Sequence, residues 1–115
     1  MPITFWLFNN TDRTVTIISK NLKPNEVNVE PLSSIEMIGL DGTFSINSKN
    51  KRLTYNAEHA PLSHVHWTGW GPFIKRMFYV QLESDGKLWV LSGEAEYPVS
   101  KFIEQPEGFP LVPNT

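Results

Sequence analysis

The sequence predicts an all-β fold, an antiparallel β-sandwich or flattened barrel of seven to eight short strands. Three observations carry that prediction. Short runs rich in β-branched and aromatic residues recur along the chain, turn residues interrupt them every few positions, and no segment sustains the apolar periodicity of an amphipathic helix. Without helices there is nothing to cover a sheet except a second sheet. A chain of 115 residues supports one hydrophobic core, and four Trp, three Tyr and seven Phe supply the bulk to fill it.

The elements follow in order. ITFWLF (3–8) alternates Ile3, Phe5 and Leu7 against Thr4, Trp6 and Phe8, and RTVTIIS (13–19) is β-branched through its centre. The turn residues NNTD between them predict a hairpin. After Pro24-Asn25, EVNVE (26–30) reads as a strand, and Pro31-Leu32-Ser33-Ser34 bends the chain into SIEMI (34–38). Asp41-Gly42 turns into TFSIN (43–47), and SKNK turns again into RLTYN (52–56).

MFYVQLESDGKLWVL (77–91) carries the strongest local signal, because Asp85-Gly86 suits a two-residue type I′ turn. That loop sets Glu83 opposite Leu88, Leu82 opposite Trp89 and Val80 opposite Leu91. Phe78, Val80, Leu82, Trp89 and Leu91 then form the core face, while Leu88 and Val90 lie outside and need a cover. The tail offers one. Pro98, Pro106, Pro110 and Pro113 exclude helix or central strand, yet Phe102, Ile103, Phe109, Leu111 and Val112 are too apolar for a solvated end. Residues 1–101 are thus read as one sandwich domain. Residues 102–115 are an extended proline-rich tail of the same domain, with QPEGFPLVP (105–113) lying across the outside of the sheet.

Composition restricts function. Ten Lys plus Arg stand against 12 Asp plus Glu, a formal charge of −2, which disfavours nucleic acid and anionic membrane as partners. The acidic part lies after residue 80. The absence of cysteine removes disulfides, thiolate metal sites and cysteine nucleophiles together. MPITFWLFNN has no basic leader region and no small-residue cleavage site, so the expected location is cytoplasmic. Asn9-Asn10-Thr11 is formally a glycosylation acceptor.

Two resemblances are visible. The order FNNTDRTVTI, VEPLSSIEM and GTFSIN resembles the opening of transthyretin-like sandwiches such as the von Hippel-Lindau β domain, across about the first half of the chain. It implies a transthyretin-like or immunoglobulin-like sandwich, and no peptide-binding motif carries over. LESDGKLWVL followed by QPEGFPLVP resembles the ending of short uncharacterised bacterial proteins that close on a Pro-x-Gly-Phe-Pro-Leu tail. This implies a bacterial origin and no particular activity.

One stretch concentrates chemistry. In HVHWTGWGPFIKR (64–76), Trp67, Trp70 and Phe73 sit among Gly69, Gly71 and Pro72, the composition of a surface loop. Rigid aromatics there, with Lys75 and Arg76 beside them, suit a protein-binding anchor, although Trp67 is expected to fold inward. The leading expectation is a non-enzymatic binding protein of the immunity or inhibitor kind, taking a protein partner or a second copy. Two alternatives stand behind it. His64 and His66, joined by His59 or Glu58, could ligate zinc or another divalent transition metal, since residues two apart on a strand share a face. Trp70 and Phe73 could instead stack on sugars as a carbohydrate-binding module. The cations of Lys49, Lys51, Arg52, Lys75 and Arg76 read as solvated turn charges. Catalysis has little support: there is no phosphate loop or nucleophile elbow, and Ser63 and His64 point to opposite faces of a strand. Glu94 and Glu96 read as solvent charges.

Overall fold

The computed structural model describes residues 4–20, 25–38, 42–48, 50–57, 66–68, 71–73, 75–91 and 104–114. It is all-β, with two sheets. The first holds β1 (Thr4–Asn10), β4 (Ser34–Ile38), β7 (His66–Thr68), β8 (Lys75–Glu83) and β9 (Leu88–Val90). The order is β4-β1-β8-β7, and β9 also pairs with β8. The second holds β2 (Val15–Ile18), β3 (Glu26–Val29), β5 (Gly42–Ser48) and β6 (Lys51–Ala57) in the order β3-β2-β5-β6. No helix among the described residues is long and apolar enough to cross a membrane.

The facing surfaces interlock. Phe5, Leu7, Phe78, Val80, Leu82, Leu88 and Val90 from the first sheet meet Val15, Ile17, Val29, Phe44, Ile46, Leu53 and Tyr55 from the second. Phe5 meets Phe78 edge-on at 5.4 Å, and Phe44 stacks on Tyr55 at 5.1 Å. The two outer faces differ. The second sheet turns out polar residues such as Thr16 and Asn28, joined by a 2.8 Å hydrogen bond. The outer positions of the first sheet include Trp6, Phe8, Met77 and Leu91, the last three buried.

Four features depart from the sequence expectation. The expected hairpin between β1 and β2 is a corner that carries the chain from one sheet to the other, because β1 pairs with β4 and β8 while β2 pairs with β3 and β5. Side-chain hydrogen bonds of Asn9 and Thr11 take the place of a ladder there. Secondly, β1 and β8 are parallel, with Thr4 beside Met77 through to Asn10 beside Glu83, so the first sheet is mixed. Strands so distant in sequence have no hairpin to align them, and the chain between them passes through the other sheet, which provides the crossover.

Thirdly, the β8–β9 register is shifted by one residue. Leu82 faces Leu88 and Val80 faces Val90, so Leu88 and Val90 point into the core and Trp89, opposite Gln81, points out. The loop is three residues long. Gly86 N donates to Glu83 O at 2.9 Å, Glu83 N donates to Lys87 O at 3.0 Å, and Gly86 takes φ 88°. This is a type I turn closed by a left-handed glycine. Fourthly, the tail does not cross the outside of a sheet. Leu111 pairs with Leu88 of β9 and Asn114 with Thr54 of β6, so the segment 104–114 bridges the edges of both sheets. Phe109 and Leu111 anchor it as expected, but against the core between the sheets.

Candidate functional site

Because β1 and β8 run parallel, the segments after them emerge at the same end of the sandwich. The corner 11–14, the corner 30–33, the β5–β6 turn at Asn50 and the hairpin loop 84–86 all lie at that end. Three of them enclose an open cleft of about 230 Å³. Buried Leu53 and Leu82 form its apolar base, and exposed Asp12, Lys51 and Asp85 stand at its edge with Arg13. The one ion pair among the described residues joins Arg13 Nε to Asp12 Oδ1 at 3.1 Å.

The walls are pinned from beneath. Asn9 is fully buried, and the two protons of its Nδ2 reach three carbonyls: Arg13 at 2.9 Å, Val29 at 3.0 Å and Glu30 at 3.1 Å. Its Oδ1 accepts from Thr11 Oγ1 at 2.6 Å and from Thr11 N at 3.2 Å. One side chain therefore ties both sheet-crossing corners together, and its amide nitrogen is engaged and enclosed, unlike a glycosylation acceptor. Glu83 accepts from Asn10 Nδ2 at 2.8 Å and from Gln81 Nε2 at 2.7 Å, which fixes both carboxylate oxygens. Asp85 Oδ1 caps Lys87 N at 2.9 Å. Tyr55 donates to the Gly86 carbonyl from within the core. Burial, followed by the Asp85 charge, raises the Tyr55 pKa well above its ordinary value, so the hydroxyl keeps the proton that it donates.

Leu32 stands out at this end. Its side chain is 60% exposed, and its backbone has φ 55°, in the left-handed region that bulky residues avoid. Leu32 N donates to Asn9 O at 2.9 Å and Asn9 N donates to Ser33 O at 2.8 Å, so the β1 edge holds the corner in this shape. Sequence reasoning passed over Leu32 as part of a bend. The Pro-Leu-Ser-Ser composition marks a turn but not which residue takes the positive φ.

Of the residues singled out from sequence, His66, Trp67, Phe73, Lys75 and Arg76 are described, and they belong to the opposite end, where β8 begins. Trp67 lies in strand β7 rather than in a loop, its backbone opposite Arg76, with His66 opposite Met77 and Thr68 opposite Lys75. Lys75 and Arg76 open β8 and so belong to a strand rather than a loop. Between β7 and β8, Gly71–Phe73 forms a 3-10 turn whose Gly71 and Pro72 are exposed. Trp70, His64 and His59 lie outside the described residues, as does Glu58. Among the described residues no group of three or more His, Asp or Glu side chains is placed to hold a metal ion. No family model, no curated protein and no solved structure matches the chain.

Proposed function

We propose that the chain is a binding protein that engages a protein partner through the end of the sandwich bearing the cleft and Leu32. Leu32 is the observation that carries this reading. A left-handed conformation costs a bulky residue about 1–2 kcal/mol, and a largely exposed leucine offsets only part of that by burial. No packing in the described fold requires a large aliphatic side chain there, which supports a role against another surface. The cleft at the same end fits the same reading. At about 230 Å³ it is smaller than the roughly 300–1,000 Å³ typical of small-molecule sites, but it admits one large side chain. An apolar base with a polar edge is also the anatomy of a protein interface.

The test is affinity capture from the source organism, with Leu32→Asn and Lys51→Glu as paired controls. Asn tolerates the left-handed region, so Leu32→Asn keeps or raises the thermal midpoint. The expected result is one stoichiometric partner held by the wild type and lost from Leu32→Asn. A partner held equally by both variants overturns the assignment. The exposed Gly71-Pro72 turn favours a second reading, in which the tip between Trp67 and Arg76 makes the contact; loss of the partner from Trp70→Ala alone would select it.

A further inference from the structure

The C-terminal segment is bound to the sandwich in the way a peptide is bound to a receptor. Leu88 N donates to Leu111 O at 3.0 Å and Leu111 N to Leu88 O at 2.8 Å, a reciprocal pair that adds a short strand to the free side of β9. Asn114 N donates to Thr54 O at 2.7 Å on β6. Gln105 does with its side chain what a neighbouring strand does with its backbone. Its Oε1 accepts from Val90 N at 2.8 Å and its Nε2 donates to Val90 O at 3.0 Å. A turn through Gly108, with Phe109 N donating to Pro106 O at 3.0 Å, then aims Phe109 between the sheets, edge-on to Phe78 at 5.7 Å.

We propose that the groove between the edges of β6 and β9 is a peptide-recognition site, and that its partner in trans is the same segment of a second copy of this chain. Main-chain pairing sets direction and register, and Gln105, Phe109 and Leu111 supply selectivity, as side-chain pockets do in strand-addition sites. Each of these contacts lies within the segment 104–114 or between it and the groove. A second copy's segment reproduces each of them, and the cis form keeps only the advantage of effective concentration.

The chain has no cysteine, so the experiment is direct. Thr54→Cys and Asn114→Cys full-length chains are mixed, equilibrated and oxidised. The Thr54→Cys/Asn114→Cys double variant, closing within one chain, establishes that the pair can bond. The proposal expects a disulfide-linked dimer joining 54 of one copy to 114 of the other. It should increase with chain concentration from about 0.05 to about 1 mM, and fall about ten-fold when Phe109→Ala is added to the chain carrying Asn114→Cys. Replacing Asn114→Cys by Glu107→Cys, exposed and away from β6, should reduce the yield to that of random collision. Efficient closure of the double variant with no mixed dimer beyond this background overturns the proposal, as does a mixed dimer indifferent to Phe109→Ala.

Discussion

Asn9 of β1 and Val29 of β3 belong to different sheets and are joined by a hydrogen bond from Asn9 Nδ2 to the Val29 carbonyl at 3.0 Å. The same nitrogen serves the Arg13 and Glu30 carbonyls, so replacing it leaves several acceptors at the corners short of a donor. Asn9→Ala should cost about 3 kcal/mol, lowering the thermal midpoint by roughly 10–15 °C in a domain of this size. Asn9→Asp keeps the shape but turns an acceptor toward the carbonyls, and should be at least as damaging at neutral pH. Denaturant titration decides it: an Asp variant as stable as wild type would show that shape, not donation, holds the corners.

Tyr55 and Gly86 link the core of the second sheet to the hairpin of the first. Tyr55→Phe deprives the Gly86 carbonyl of its donor and should cost about 1–3 kcal/mol at neutral pH. The pH dependence separates this from a packing defect. The Tyr55 pKa is raised in the folded protein from an ordinary 10.0, so folding favours the protonated form. Its contribution is complete below pH 10 and is lost above it, by about 1.4 kcal/mol per pH unit. Tyr79, raised by partial burial and then by the Glu36 charge, acts in the same direction but is present in both proteins. Wild type should therefore lose stability above pH 10 more steeply than Tyr55→Phe; parallel curves would remove Tyr55 from the account.

The strands were legible because period-two alternation and turn residues are local signals. Val15, Ile17, Phe44, Ile46, Leu53 and Tyr55 are buried where alternation places them. What sequence did not disclose is which strand pairs with which. Asn9 looks like any turn residue until Val29 and Glu30, distant in sequence, offer it their carbonyls. The β8–β9 register carried a usable clue. A two-residue loop excludes both Leu88 and Val90 from the core, whereas Ser84-Asp85-Gly86 as a three-residue loop sets them against Leu82 and Val80. The Asp-Gly signal outweighed that pattern. Leu32 was invisible for a different reason, since its interest lies in a backbone angle and an exposure that no residue type announces.

Gly86 is a sharper test of that hairpin than any side chain. Its φ is 88°, and a β-carbon there would lie 3.0 Å from Leu53 Cδ1 and 3.3 Å from Pro113 Cγ. Gly108 has the same φ with nothing within 4 Å. Both Gly→Ala variants carry the backbone penalty of about 1 kcal/mol or more, but only Gly86→Ala also displaces Leu53 and the tail. Gly86→Ala should be the less stable, and hydrogen exchange at the Leu111 and Asn114 amides should quicken. Equal losses in the two variants would mean that Leu53 and Pro113 yield without cost.

Removing residues 104–115 tests whether the bridge between β6 and β9 stabilises the sandwich. Phe109 and Leu111 are only partly buried, so their loss amounts to about half the value of two fully buried side chains, or roughly 2–3 kcal/mol. The hydrogen bonds at Leu88, Val90 and Thr54 add little, because water replaces the departed partners on a newly exposed edge. The thermal midpoint should fall by roughly 10 °C in calorimetry. Exposed edges are also templates for further pairing, so the shortened chain should associate at concentrations where the full chain does not. An unchanged midpoint would mean that the sandwich is stable without its bridge.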